Sequence, residues 1–320
     1  MISRSLVRGV ALLLALAVSV APALAQAVTL RYQWKQGGVL TYRTVVRTTT
    51  NSSGGPGGTE TFEQTLTQTL KLTVAAVDVD GTATLRQSIE AVTIDVTTPA
   101  GKLSYDSARP VGADADPRVQ AMAKTLGAMV GEAISVTISP TGAVRRIDGA
   151  ARVADKLIGN LPRDPMSGGL AQNIKRMLSD DVLRSSLEQS FSRLPDQPVK
   201  PGDTWKAEQS VGPDATGKVI GTSTFTLKAL EGSGDAAVAR IAVALALRQE
   251  EVPSAGASAV KKLGAGSKGD GEVVFDVARG RIKTNSMRTD ILASVTMRGP
   301  DGSMALQNST RTAMTMELVR

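Results

Sequence analysis

The chain has 320 residues, a formal charge of +7, 42% hydrophobic and only 3% aromatic side chains, and neither cysteine nor histidine. Those absences exclude disulfides, thiol nucleophiles, iron–sulfur clusters, cysteine- or histidine-ligated metals and a Ser-His-Asp triad. The cations are scattered, with no cluster denser than Arg145-Arg146 or Lys261-Lys262 and no stacking aromatics beside them, so nucleic acid is not an expected partner.

Residues 1–25 read as a secretory signal peptide. Arg4 and Arg8 make a basic start, Val10 to Val20 an apolar run, and Ala23-Leu24-Ala25 a small-x-small cleavage site. The uncharged stretch from Gly9 to Ala25 contains Pro22 and falls short of the roughly 20 apolar residues of a spanning helix. Cleavage after Ala25 takes away 25 residues and two arginines, leaving 295 residues at +5. No cysteine follows the apolar run to carry a lipid anchor, and no later segment is long and apolar enough to span. The predicted location is periplasmic or secreted, with no transmembrane segment after signal removal.

Long strands come next. Over Phe62–Ala76, Phe62, Leu66, Leu70, Leu72 and Val74 share one parity, and Glu63, Thr65, Thr67, Thr69, Lys71 and Thr73 the other. This is the period-two signature of a half-buried strand. Asp78-Val79-Asp80-Gly81 predicts a hairpin turn. In Thr82–Thr97 the apolar parity switches between Ile89 and Val92, which predicts a bulge near Ala91. Asn51–Gly58, rich in Ser, Gly and Pro, reads as a long mobile hairpin loop.

A helical stretch fills the middle. Val119, Met122, Leu126, Met129 and Val130 follow helical spacing after Pro117. Stripes over Val153–Ile158, Leu170–Leu178 and Leu183–Leu194 predict three more helices, the last capped by Asp180 or Asp181 and ended by Pro195. A hairpin around Ser139-Pro140-Thr141-Gly142 interrupts them. Strands return over Thr222–Leu230, Ala236–Arg248, Glu272–Val277, Arg281–Met297 and Met304–Leu318. Pro253–Gly271 reads as a second long loop. The two β-rich parts match loosely, Thr69-Leu70-Lys71-Leu72 against Thr226-Leu227-Lys228-Ala229. Duplication and chance similarity between Thr-rich strands stay open.

Chemical motifs are sparse. Gly264-Ala265-Gly266-Ser267-Lys268-Gly269 fits Gly-x-Gly-x-x-Gly, but a strand rather than a helix is predicted to follow, so no dinucleotide site is expected. The carboxylate pairs Asp78/Asp80, Asp114/Asp116, Asp180/Asp181 and Glu250/Glu251 fall in turns, caps or loops, where solvated acids are ordinary. Asp78–Gly81 lacks the later ligands of a calcium loop. No catalytic residue, metal ligand or cofactor is therefore assigned. Trp34, Trp205, Met122, Leu126, Met129 and Met177 are the candidate ligand-lining residues, because amphipathic rings and adaptable thioethers suit apolar ligands. Core filling accounts for methionines without any ligand.

Three segments carry a resemblance: Leu30–Tyr42, Pro198-Val199-Lys200-Pro201-Gly202-Asp203-Thr204-Trp205, and Gly271–Asp276 leading to Gly280-Arg281-Ile282. Together they resemble an exported bacterial family of unknown function in which a Pro-x-Lys-x-Gly-Asp-x-Trp segment opens the second β-rich half. The strand and helix order is similar to the outer-membrane lipoprotein-carrier type of half-barrel. The predicted fold is α+β, a large curved antiparallel sheet in an open half-barrel, covered by a few central helices. A signal peptide, 1–25, precedes one β-rich domain, 26–320. Its parts are a first β half (26–148), a helical segment (149–194) and a second β half (195–320). Export, a wide sheet, methionine-bearing amphipathic helices and the missing catalytic chemistry imply a non-catalytic protein holding an apolar or amphipathic, lipid-like ligand between sheet and helices. The alternative is a cell-envelope scaffold with a filled core and a protein partner.

Overall fold

A computed structural model describes residues 27–55, 58–161, 167–214, 217–250, 259–299 and 302–320. The predicted signal peptide lies outside the described residues, as does Glu251. Thirteen antiparallel strands form one curved sheet that does not close. A first run comprises β1 (Val39–Gly55), β2 (Gly58–Val77), β3 (Ala83–Thr98), β4 (Gly101–Asp106), β5 (Ala133–Ile138) and β6 (Val144–Asp148). A second comprises β7 (Thr204–Asp214), β8 (Gly217–Glu231), β9 (Val238–Glu250), β10 (Ala259–Leu263), β11 (Lys268–Asp276), β12 (Arg281–Gly299) and β13 (Gly302–Leu318). Across the sheet the order is β6-β5-β3-β2-β1-β13-β12-β11-β9-β8-β7, with β4 beside β3 and β10 beside β12. The runs join where β1 pairs with β13, from Tyr42↔Leu318 to Ser53↔Gln307.

The predicted parities place the core. Leu72 and Val74 of β2 are buried while Lys71 and Thr73 between them are not. The switch in β3 is a bulge: Thr69 pairs with Ala91 and Leu70 with Ile89, which leaves Glu90 over. The Asp78–Gly81 turn forms with Gly81 at φ +81, and Asp80 accepts from the Thr82 amide at 2.9 Å.

Among the described residues both predicted long loops are mostly strand, residues 56–57 and 253–258 lying outside the described residues. β1 runs to Gly55 and β2 starts at Gly58, because hydroxyl and amide side chains pair across the hairpin, as where Thr61 donates to Asn51 Oδ1 at 2.8 Å. Within Pro253–Gly271, β10 and β11 both pair with β12, which is long enough to offer an edge to each. They are one strand interrupted by Gly264–Ser267. The Ser267 hydroxyl holds this bend, donating to Gly264 O at 2.9 Å and accepting from Leu292 N at 3.0 Å. The Gly-x-Gly-x-x-Gly pattern is thus a kink inside a sheet.

The middle of the chain supplies α1 (Pro117–Gly127), α2 (Ala150–Gly159), α3 (Ser167–Met177) and α4 (Asp180–Phe191). Ser179, not Asp180 or Asp181, is the N-cap residue of α4. The two acids occupy its first turn, where the helix dipole favours negative charge. On the inner face of the sheet, Tyr32, Leu85, Phe191, Leu227, Ile241, Phe275 and Ile282 belong to one buried cluster. Smaller clusters lie between α1 and β3–β4, and between α2 and α3. α4 packs against both β6 and β7, the end strands of the sheet order. Arg184 reaches Val144 O on the β6 side, and Trp205 Nε1 of β7 donates to Arg193 O at 2.7 Å. The segment before β1 crosses the base of the sheet. There Tyr32 N donates to Pro140 O at 2.8 Å and Gln33 N to Gly280 O at 3.0 Å.

Candidate functional site

The inner face divides into a filled lower part and a longer, half-buried upper part. Below, Trp34 stacks on Tyr32 with ring centroids 5.4 Å apart, and Tyr32 meets Phe191 and Phe275 edge-on at 6.2 and 5.5 Å. Burial pushes the Tyr32 and Tyr42 phenols well above their ordinary range, so both stay neutral donors. Tyr42 donates to Ile282 O at 3.0 Å. The core ends at the level of Thr44, Asn285, Met287 and Met316, all buried.

Beyond that level the strands continue with the same parity. Val46, Thr48 and Thr50 of β1, Thr310 and Thr312 of β13, and Thr289, Ile291 and Val295 of β12 are half-buried. Their facing hydroxyls pair across the join, Thr48 with Thr312 at 3.4 Å and Thr50 with Thr310 at 3.2 Å. From Val46 to Ser52 this surface extends about 20 Å, at ~3.3 Å per residue. The helices pack mainly on β4 to β7, to one side of these central strands. Phe62 and Met304 stand at the far rim, each 38% exposed.

Where α4 meets this surface, two small niches open. One, of about 20 Å³, is lined by Glu188, Gln189, Ser192, Gln209, Ser223 and Asn285 with Phe225, Val243, Leu245 and Met287. The other, of about 30 Å³, lies among Tyr32, Tyr42, Leu72, Gln87, Ser190 and Phe191. Asn285 is 1% exposed and gives its amide hydrogens to Gln189 O at 3.0 Å, Ser190 O at 3.1 Å and Ser192 Oγ at 3.3 Å. The first two are last-turn carbonyls of α4, which a helix leaves unsatisfied. A larger depression of about 350 Å³ lies on the opposite parity, among Asn51, Ser53, Gln307, Ser309 and Leu292.

The six residues predicted to line a ligand fall in separate places. Met122 and Leu126 pack on Val92, Ile94 and Tyr105, and Met129 on Val153, Leu157 and Ile174. Met177 of α3 is 60% exposed. Trp34 stacks on Tyr32, and Trp205 on Phe225 at 5.6 Å. Among the described residues they lie in three separate clusters and on the α3 surface. The residues at the α4 niche, Asn285, Gln209 and Ser223, escape the sequence reading. The one available signal is an amide on the parity of β12 that carries Met287, Ile291 and Val295.

The carboxylates serve turns and ion pairs. Hydrogen bonds from the Arg118 side chain and backbone hold Asp116 at a pKa of about 2, where it caps α1. Hydrogen bonds from Thr82 lower Asp80, and Lys156 and Arg152 lower Glu132. Buried Asp276 pairs with Arg279 at 3.3 Å. Among the described residues, no group of three or more acids is placed to hold a metal ion, and no helix is long and apolar enough to cross a membrane.

A family model, described as a family of unknown function (DUF6263), matches residues 80–243. That stretch includes the Pro198–Trp205 segment. A search of curated proteins finds no match. Among solved structures, the chain is similar to one of lipovitellin described as showing lipid–protein interactions, at 11% identity and a TM-score of 0.44. The match covers 90% of this chain and 26% of that one, so the chain spans about a quarter of the lipovitellin chain. It is also similar to DynF from the dynemicin biosynthesis pathway of Micromonospora chersina, at 10% identity and a TM-score of 0.21, covering 91% of this chain and 85% of that one. A putative exported protein with a YmcC-like fold from Bacteroides fragilis matches at 8% identity and a TM-score of 0.22, covering 91% and 98%.

Proposed function

We propose, for a chain that belongs to the family of unknown function DUF6263, that it is an exported carrier holding an apolar or amphipathic, lipid-like ligand against the inner face of its sheet. The observation that carries this reading is the change at Thr44 and Met316. Below them the inner face is filled; above them the same parity runs on for about 20 Å as half-buried Val46, Ile291 and Val295 among threonines. An apolar, concave surface with a few polar groups suits a small apolar ligand. Its length exceeds the ~15 Å of one leaflet of a ~30 Å hydrocarbon core, enough for a single acyl chain. Four of the candidate residues then have a place in this arrangement: Trp34 and Trp205 brace the base and α4, and Met122 and Leu126 of α1 wall the β3–β4 side; Met129 and Met177 stand apart. Met1–Ala25 directs export and is cleaved, and the mature protein works without catalysis, metal or cofactor.

The test is native mass spectrometry of protein purified from a bacterial periplasm, with organic extraction of bound material and rebinding of a neutral fluorescent probe. A co-purifying lipid, with probe binding weakened at least tenfold by Ile291→Lys in a protein of unchanged circular dichroism, supports the carrier. An unliganded mass with no probe uptake removes it. Leu170 and Met177, 50% and 60% exposed on α3, favour the second reading, a cell-envelope scaffold whose α3 meets a protein partner. Crosslinking from α3 then becomes the next measurement.

A further inference from the structure

We infer that the polar end of such a ligand enters the niche beneath α4 and must bring a hydrogen-bond donor, an uncharged hydroxyl head rather than a carboxylate or phosphate; this rests on the carrier reading above. Asn285 carries the argument. Its amide hydrogens are all directed at α4, so the orientation of the group is fixed by two carbonyl acceptors, and Oδ1 is left as an acceptor. That oxygen is fully buried and receives no hydrogen bond from any described residue. A buried amide oxygen without a donor is destabilising relative to a paired one. Supplying a donor recovers that energy; supplying another acceptor does not.

The surroundings select further. The niche of about 20 Å³ admits one atom group of water size, since roughly 10–15 Å³ is the minimum for a water. Among the described residues its one charged wall is Glu188, whose Oε1 accepts weakly from Val144 N at 3.4 Å. No lysine or arginine among the described residues lines it, so an anionic head would be desolvated beside a carboxylate with no countercharge. Leu245 and Met287 form its apolar side, and their strands lead on to Leu247 and Ile291 of the upper inner face. A tail lying along that face therefore delivers its hydroxyl to Asn285.

The experiment displaces a neutral apolar fluorophore from the delipidated full chain with monomyristoylglycerol or with myristate, at about pH 8, where the fatty acid is ionised. The two share a tail and differ in the head. The expected result is that monomyristoylglycerol displaces the probe about tenfold more tightly, the size of one good hydrogen bond. Asn285→Leu should abolish the difference. Because that variant also strips α4 of its donors, Ser223→Val is the second: it fills the niche from β8 without touching α4 and should equalise the two ligands while leaving myristate within about twofold. Equal affinities in the unmodified protein, or a preference that survives Ser223→Val, overturn the head-group assignment and leave the carrier reading standing. Displacement by neither ligand removes both.

Discussion

Truncating Phe191 to alanine asks whether α4 is an integral part of the sheet or a lid resting on it. Phe191 ends α4 inside the lower core, buried, with edge-to-face contacts at 6.2 Å to both Tyr32 and Trp34. Removing a buried phenylalanine side chain costs about 3–5 kcal/mol. Two lost aromatic contacts, at ~0.5–1.5 kcal/mol each beyond area, push towards the upper end. The neighbouring niche of about 30 Å³ lets the site collapse slightly and pulls the figure back, to about 4 kcal/mol. With a urea dependence of ~1–3 kcal/mol per molar, the unfolding midpoint should fall by more than about 1 M. The two tryptophans report the outcome at two places, Trp34 beside the Phe191 ring and Trp205 on β7, bonded to Arg193 O just past the C-terminal end of α4. Single-tryptophan proteins should show one shared, shifted transition. A shift below about 0.3 M, or a Trp34 transition that moves while the Trp205 transition stays, would refute the claim that α4 unites the two ends of the sheet.

Two further outcomes follow from positions where a single contact decides. Gly280 has φ +56, and a Cβ there would lie 2.6 Å from Arg31 O; the clash is with backbone and cannot rotate away. Gly280→Ala should cost more than ~1 kcal/mol and speed hydrogen exchange at the Gln33 amide, whose partner is Gly280 O; unchanged exchange contradicts this. Asp116 is the pH case. Its folded pKa of about 2 is depressed by the Arg118 hydrogen bonds. Its contribution to α1 is therefore complete above the ordinary carboxylate pKa of ~3.9 and disappears as pH falls through about 2. Carboxyl NMR should place the titration there, and a midpoint near the ordinary value would show that the cap does not form. Asp116→Asn should keep a capping oxygen and lose the pH dependence.

Local rules reached far along this chain. Period-two alternation located β2, the parity switch located the Glu90 bulge, and Asp-Gly located its turn, because each feature is written in adjacent residues. Three kinds of feature were not legible. Strand continuity through Asn51–Gly55 and through β10 depends on what the neighbouring strand offers, and Gly, Ser and Lys read as loop when that neighbour is unknown. The Ser179 cap of α4 differs from the predicted Asp180 or Asp181 by one residue, a choice made by where the chain leaves α3. Dispersal of the six candidate ligand residues is tertiary: helical spacing put Met122, Met129 and Met177 on apolar stripes, but not on which neighbour each stripe would rest. Asn285 shows the same limit from the other side. Its residue type was visible; the last turn of α4 above it was not.

The join between β1 and β13 has a consequence for how the molecule is assembled. The first strand of the sheet to be synthesised finds its second neighbour only when the final strand exists. Each meander can zip up by local hairpins, yet β1 and β12 wait with bare edges facing one another across a missing strand. Closing so long a loop adds little free energy, about 0.6 kcal/mol per doubling of length, so the penalty falls on time and not on final stability. Throughout that interval the chain is a template for any extended strand, its own or a neighbour's. β13 is therefore the keystone of the sheet: a chain halted before Gly302 would hold both half-sheets and a slot one strand wide.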